Sequence, residues 1–160
     1  MARAKGFSLI ELLIVVGVIL VLAAIAIPSL LRSRLAANEA SAVASLRTIN
    51  TAEITYNTTF GATVGFANLS ALGPYSSGGS PSSAAAGLLD ANLAAGTKSG
   101  YTFTVVPSGT NNSNYESTAE PQSPGTTGQR YFCSDPSFVI QYNQSASTGA
   151  TCASGSNTPI

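Results

Sequence analysis

An apolar run near the N-terminus constrains this chain more than any other feature. From Phe7 to Leu31 there are 25 residues, and Glu11 is the one charged residue among them. As a helix with a rise of 1.5 Å per residue, the run reaches about 37 Å, enough to cross a hydrocarbon core of about 30 Å. It therefore predicts a membrane-spanning helix. Because a carboxylate at the centre of such a helix costs roughly 2.5 to 3.5 kcal/mol on insertion scales, Glu11 is interpreted as a functional residue.

The composition argues against several classes of function. Charged residues make up 9% of the 160 residues, seven basic and seven acidic, so the chain offers no basic surface for nucleic acid. It has no histidine, the commonest general base and metal ligand. Glu120 and Asp135 are too sparse to form a calcium site, which needs six or more oxygen ligands. We therefore expect no enzymatic activity, no cofactor, no metal site and no nucleic acid as a primary ligand.

Two simpler interpretations of the N-terminus remain as alternatives. Arg3 and Lys5 precede the apolar run, and Ala24-Ile25-Ala26 matches the small-x-small cleavage pattern of a secretory signal peptide. However, the 17 apolar-run residues before Ala24 exceed the usual 7 to 15, and a signal peptide gains nothing from Glu11. A plain single-pass anchor also leaves Glu11 unexplained. A secreted enzyme released after Ala26 would need a nucleophile, base or metal cluster, and the sequence suggests none.

The segment Lys5-Gly6-Phe7-Ser8-Leu9-Ile10-Glu11-Leu12 resembles the cleavage and methylation motif of type IV prepilins and their type II secretion relatives. The resemblance implies that a membrane peptidase cuts between Gly6 and Phe7 on the cytoplasmic side, and that the new amine of Phe7 is methylated. It also implies that Glu11, the fifth residue of the mature chain, is needed for assembly. Pro28 stands where pilins commonly have a helix-bending proline.

Elementary electrostatics gives Glu11 a role consistent with that resemblance. After the cut, Phe7 carries an amine at a helix start, where the macrodipole disfavours a cation and favours an anion. Glu11 follows one turn later. In a dry filament core an isolated charge is costly, and a paired charge is much less so. We therefore expect the Phe7 amine of an entering subunit to pair with Glu11 of a docked neighbour, which would set the axial register between subunits.

The periodicity predicts an α+β chain, a long N-terminal helix packed against a small antiparallel meander, and the resemblance identifies this arrangement with the pilin fold. With the leader and the variable loop taken from the resemblance, we expect a leader at 1–6, a membrane or filament-core helix at 7–31, the amphipathic half of that helix at 32–60, a variable loop with a short helix at 61–100 and a sheet with the disulfide-bounded C-terminal region at 101–160. Pro28 predicts a bend, and Gly61 predicts the end of the helix. The second half of the helix carries an apolar stripe that consists of Leu35, Ala42, Leu46, Ile49, Tyr56 and Phe60. Glu53 interrupts this stripe. The polar residues of the same half include Arg32, Arg34, Glu39 and Arg47.

Beyond the helix, the period changes from that of a helix to that of strands. A short helix is predicted at 88–94. Alternation from Tyr101 to Val106, ended by Pro107, predicts a strand with one polar face. Weaker strand patterns follow at 115–119, 129–133 and 137–142, so we expect about four strands laid against the amphipathic half of the helix.

The two cysteines, Cys133 and Cys152, lie near the C-terminus with 18 residues between them. They have no neighbouring cysteine or histidine that would indicate zinc or redox chemistry. We predict a structural disulfide that ties down the C-terminal region, formed in an oxidising compartment. The alternative is a pair of unpaired cysteines in a cytosolic protein.

The resemblance implies a structural subunit of an extracellular type IV pilus, with a type II secretion pseudopilin as the alternative. A Ser/Gly/Thr-rich surface, few charges and a disulfide-bounded C-terminal loop resemble pilins more than the major pseudopilin. The implied partners are further copies in a helical homopolymer, the prepilin peptidase and methyltransferase, the inner-membrane assembly platform, and membrane lipid before assembly. The implied location is the bacterial inner membrane, with the N-terminus cytoplasmic, and then the cell surface.

Overall fold

The protein is described here by a computed structural model that covers residues 6–144, 152 and 157–160. The chain divides into two units, Met1–Arg34 and Leu35–Ile160, which we describe separately. Helix α1, Leu9–Val64, begins in the first unit and ends in the second. The remaining elements are α2 (Ala91–Ala94), β1 (Thr97–Lys98), β2 (Tyr101–Ser108), a 3-10 turn (Thr110–Asn112), β3 (Asn114–Pro121), β4 (Tyr131–Ser134), β5 (Ile140–Asn143) and β6 (Thr158–Pro159).

The strands form an antiparallel sheet in the order β1-β2-β3-β4-β5-β6, so each strand pairs with its neighbour in sequence. The predicted α+β class and antiparallel meander are therefore confirmed. The prediction of about four strands is too low, because the described residues form six. The two additional strands, β1 and β6, contain two residues each, too few to show a period of two in the sequence.

Helix α1 continues one turn beyond the predicted stop at Gly61 and ends at Val64. The stop is Gly65, whose φ of +74° is a left-handed conformation that glycine adopts without strain. A side chain at Gly65 would also collide with the backbone of the 3-10 turn. The amide of Asn112 donates to the carbonyl oxygen of Val64 at 3.0 Å, which satisfies one of the open carbonyls of the last turn. Pro28 lies inside α1, and a bend at that position stays a prediction.

The core of the second unit lies between one face of α1 and the inner face of the sheet. In β2 the side chains of Tyr101, Phe103 and Val105 are buried and the intervening ones are exposed, as the alternation predicted. The strand does not stop before Pro107 but runs through it to Ser108, paired with β3 along its whole length. The core residues contributed by α1 and by the sheet are Ala42, Leu46, Ile49, Ala52, Tyr56, Tyr101, Phe103, Val105, Tyr115, Ala119, Phe132 and Ile140.

The Gly/Ser/Ala-rich connection between α1 and the sheet also contributes to this core through Leu72, Leu89 and Leu93. The helix predicted at 88–94 is shorter in the structure, Ala91–Ala94. It begins late because Asp90 is its N-cap, accepting hydrogen bonds from the backbone N–H groups of residues 92 and 93 at 3.1 and 3.0 Å.

Candidate functional site

The start of α1 is organised by Ser8 and Glu11. The carbonyl of Ser8 accepts the first helical hydrogen bonds, so Ser8 occupies the N-cap position. The carboxylate of Glu11, through Oε2, accepts a hydrogen bond from the backbone N–H of Ser8 at 3.0 Å. This is one half of a capping box, in which a glutamate three residues into the helix satisfies a backbone donor at its start. Glu11 therefore stabilises the helix start of its own chain, a role that the sequence analysis missed although Ser8-x-x-Glu11 signals it.

The residues predicted to flank the cleavage site, Gly6 and Phe7, lie before the first turn of α1. Phe7 is 85% exposed, and a side chain added at Gly6 would meet open space. The bond between them is thus neither inside a helix nor covered by the described residues. Cleavage there, and methylation of Phe7, stay predictions.

The first unit presents an apolar surface. The exposed large apolar residues of α1 in this unit are Leu9, Ile10, Leu12, Leu13, Ile14, Val15, Val16, Val18, Ile19, Leu20, Val21, Leu22, Ile25, Ile27, Leu30 and Leu31. By length and composition α1 contains a stretch apolar enough to cross a membrane. An exposed apolar surface of this extent marks a contact with lipid or with other protein chains.

In the second unit, Cys133 and Cys152 form the predicted disulfide, with 5.6 Å between their Cα atoms. Cys133 lies on β4 opposite Thr118 of β3, on the face of the sheet turned away from the core. The backbone N–H of Cys152 also donates to the carboxylate of Glu116, and the amide of Asn157 approaches Sγ of Cys133 at 3.6 Å. These contacts attach the C-terminal region to the outer face of the sheet.

Glu39 of α1 is buried, although its sequence position groups it with the polar residues of the helix. Its Oε2 accepts a hydrogen bond from Nε of Arg130 at 2.7 Å and forms an ion pair with Nη2 of the same guanidinium at 2.6 Å. Its Oε1 accepts the backbone N–H of Gln129 at 2.9 Å. Burial by itself would raise the pKa of Glu39, but the Gln129 N–H and the Arg130 guanidinium together hold it below its usual value. Arg130 in turn lies over the rings of Phe132 and Tyr142.

Glu53, on the same helix, is fully buried and has much less compensation. Its Oε2 accepts the backbone N–H of Ala67 at 3.0 Å, while Oε1 has no hydrogen-bond partner among the described residues. Burial raises the pKa of Glu53 to about 7, and the Ala67 N–H offsets this in part. Glu53 therefore fastens the segment after α1 to the helix, and at neutral pH it sits close to its protonation midpoint.

A buried hydrogen-bond chain also fixes α1 against the sheet. The Asn50 amide donates to Oγ of Ser134 at 2.8 Å, and the hydroxyl of Tyr115 donates to the Asn50 carbonyl oxygen at 3.0 Å. Burial raises the pKa of Tyr115, so this hydroxyl stays a donor. The sequence gives no local signal for this chain, because its members are separated by up to 84 positions.

The structure brings Cys133 and Cys152 together, places Glu11 beside Ser8, and leaves Gly6 and Phe7 exposed before α1. Among residues 6–144, 152 and 157–160, no three acidic or cysteine side chains come together as metal ligands would.

Comparison with known proteins agrees with this N-terminal arrangement. Residues 1–27 match the family model of the prokaryotic N-terminal methylation motif. The chain is also 54% identical over 46 residues to the type IV wide pilus major component PilA4 of Thermus thermophilus, an alignment that covers 29% of this chain and 35% of that protein. The N-terminal part of the chain is therefore similar to a type IV pilin.

The relationship of this chain to its relative is confined to part of each sequence. The matched region spans about a third of the length of the Thermus protein. No solved structure matches the chain. The methylation motif followed by an apolar helix fits a precursor anchored in a membrane.

Proposed function

We propose that this chain is a structural subunit of an extracellular type IV pilus, assembled through its N-terminal helix after removal of residues 1–6. The observation that carries the proposal is the N-terminal methylation motif, followed directly by an exposed apolar helix with a single carboxylate near its start. The Thermus relative is named as a major component of a wide pilus, which favours a pilus over a type II secretion pseudopilus.

Processing begins at the bond between Gly6 and Phe7. This bond precedes α1 and is exposed, so a peptidase reaches it without unwinding the helix. Glycine before the cut leaves room for close approach of the peptidase to the backbone. The cut removes the segment that contains Arg3 and Lys5 and creates an amine on Phe7, which is then methylated.

Glu11 links this processing to assembly. One carboxylate oxygen holds the N–H of Ser8, and an ionised carboxylate has two oxygens with about four acceptor sites in total. Glu11 therefore has acceptor sites for the Phe7 amine of a neighbouring chain without giving up its own helix cap. Because the amine does not exist before the cut, an uncut chain lacks the group that this contact requires.

The same proposal defines partners and location. The precursor resides in the bacterial inner membrane with its N-terminus cytoplasmic, and meets the prepilin peptidase, the methyltransferase and the assembly platform there. In the filament, the apolar surface of the first unit contacts the helices of other copies instead of lipid. The second unit with its disulfide faces the exterior, where oxidising conditions maintain the bond.

The test is electron microscopy of material sheared from cells that express the chain, with antibody labelling of the second unit. Long labelled filaments that disappear on deletion of the gene are expected. Label restricted to the periplasm, with no surface filaments, would instead support the pseudopilus. Release of a soluble chain that begins at Ile27 would restore the signal-peptide interpretation.

A further inference from the structure

The second unit has a small groove that its own core does not use. The groove has a volume of about 280 Å³ and is lined by Arg47, Asn50, Thr51 and Ile54 of α1 and by Phe138 of the turn between β4 and β5. Ile54 and Phe138 are each 44% exposed. The next residue, Val139, is also exposed, so this turn presents two neighbouring apolar side chains.

Phe138 is held in this position at a cost. Its φ is +62°, a strained left-handed conformation that bulky side chains rarely adopt. The turn is fixed by Asp135, whose side chain accepts the Ser137 N–H at 2.9 Å and whose carbonyl accepts the Phe138 N–H at 2.9 Å. An aromatic residue that is strained and 44% exposed contributes less to the stability of its own chain than a buried, unstrained one would. A contact with another molecule accounts for it better.

The charge of Arg47 indicates the chemistry of the partner that would bind at the groove. Arg47, on the rim of the groove, forms no ion pair among the described residues, where the two ion pairs are Lys98–Asp90 and Arg130–Glu39. The cation at the groove therefore lacks an anion in the part of its own chain that the structure describes. A partner that fits the groove would present an apolar side chain next to a carboxylate.

The outer face of the sheet presents that combination. Val106 of β2 is 55% exposed and lies directly opposite Glu116 of β3, so both side chains project from the same face. Glu116 has no ion-pair partner among the described residues, although one of its oxygens accepts the N–H of Cys152. We name Val106 and Glu116 the outer patch.

We propose that the groove of one copy receives the outer patch of a second copy, with Val106 between Ile54 and Phe138 and with Glu116 facing Arg47. The proposal rests on the filament function and specifies a contact within it. The groove is formed by the helix and a turn, whereas the outer patch lies on the opposite face of the sheet, so the contact joins two different surfaces. Such a heterologous contact leaves a free groove and a free patch on every pair, and it therefore propagates into a chain of subunits instead of closing a dimer.

Disulfide cross-linking of the full-length chain in cells tests this contact. One chain carries Ile54→Cys and a second, distinguishable by an epitope tag, carries Val106→Cys. Mild oxidation should give a cross-linked dimer when both chains are present and no dimer from either alone. The matched control replaces Val106→Cys by Tyr75→Cys, because Tyr75 is similarly exposed, 43%, but is not part of either surface. No dimer should form in that control.

The outcomes separate the contact from the filament function. Filaments without the 54–106 dimer would overturn the contact and leave the filament function standing. A dimer without filaments would support the contact and overturn the filament function. A dimer formed by the Ile54→Cys chain alone, or a cross-link to a different protein, would show that the groove has another occupant and would overturn the proposal.

A second variant separates the contact from folding. Asparagine tolerates a positive φ, so Phe138→Asn should leave the unfolding midpoint unchanged or raise it. The yield of the 54–106 dimer should nevertheless fall about tenfold, the effect of removing a buried interface anchor. Arg47→Glu places a like charge opposite Glu116 and should lower the yield similarly, while Tyr75→Asn should not. An unchanged yield in Phe138→Asn and Arg47→Glu would contradict the proposal.

Discussion

Glu39 and Glu53 are both buried on the inner side of helix α1, 7% and 0% exposed, but their pKa values shift in opposite directions. Glu39 has the guanidinium of Arg130 and the Gln129 N–H to stabilise its charge. Glu53 has the N–H of Ala67 and no cation among the described residues. The same residue type therefore fastens two different segments to the helix, one as an ion pair and the other as a carboxyl group near its protonation midpoint.

The raised pKa of Glu53 predicts that the second unit loses stability as pH rises. The folded state binds the Glu53 proton more tightly than the unfolded state, with a pKa of about 7 against 4.5. The stabilisation is thus complete below about pH 4.5 and is lost progressively as pH rises towards and through 7, by roughly 3 kcal/mol in total. Chemical unfolding of the full-length chain in detergent, measured at pH 5 and pH 8, gives the size of the effect.

Glu53→Gln is the matched variant for this effect. Glutamine keeps an acceptor for the Ala67 N–H but carries no charge. The variant should be more stable than the parent at pH 8. Its free energy of unfolding should also change less between pH 5 and pH 8 than that of the parent, because residue 53 no longer titrates. A variant with the same pH dependence as the parent would show that Glu53 is ionised in the folded chain at pH 5.

Arg130→Met should destabilise the second unit by about 1 to 2 kcal/mol at pH 7, because it leaves the buried charge of Glu39 without its cation. Methionine is chosen because it retains the apolar contacts of the arginine side chain. Arg130 is partly exposed, so solvent screening limits the loss. Because the pKa of Glu39 is lowered from 4.5, the stabilisation by the ion pair is complete above that unfolded-state value and is lost as pH falls through the lower folded-state value. The difference between parent and variant should therefore shrink at pH 3; a constant difference would assign the effect of Arg130 to packing alone.

Removal of the disulfide should cost about 3 kcal/mol of unfolding free energy, the value expected for a loop of this size. The double variant Cys133→Ser/Cys152→Ser is compared with the parent by chemical unfolding, with and without reductant. Reductant should bring the parent to the stability of the variant and should not affect the variant itself. Equal midpoints for parent and variant under oxidising conditions would show that the bond does not stabilise the chain.

Substitutions at Glu11 separate its two roles. Glu11→Gln retains an acceptor for the Ser8 N–H, since glutamine also serves in a capping box, but removes the charge. If the charge is needed for the Phe7 amine of a neighbour, Glu11→Gln and Glu11→Ala should both insert into the membrane and both fail to form filaments. Glu11→Asp, shorter by one methylene, should assemble less well than charge conservation alone suggests. Filaments from Glu11→Gln at parental yield, counted in sheared fractions, would reduce Glu11 to a helix cap.

The sequence predicted the parts of the fold that depend on local pattern. The period of β2, the span of the apolar helix and the pairing of two isolated cysteines all follow from residue type and spacing. The helix end was missed because Gly61 and Gly65 are both glycines near the end of the pattern, and contact with the 3-10 turn selects the second. The two-residue strands β1 and β6 are defined by hydrogen bonds to their neighbours and have no pattern of their own.

The buried glutamates show a different limit of sequence reasoning. Glu39 has an acidic side chain on a helix with a polar face, and its burial depends on Arg130, which follows 91 positions later. Glu53 interrupts the apolar stripe and so was visible as an anomaly, but its partner is a backbone N–H that no residue type reveals. The capping contact of Glu11 with Ser8, in contrast, has a local sequence signature. Local contacts were thus open to prediction, and contacts made by tertiary packing were not.

The most direct test of the central claim is mass spectrometry of the chain recovered from sheared surface filaments. The proposed function predicts an N-terminal peptide that begins at Phe7, carries one methyl group on its amine and continues through Glu11. A chain from the same filaments that retains Met1 to Gly6, or that begins at Ile27, would contradict the claim that cutting after Gly6 creates the amine on which assembly depends.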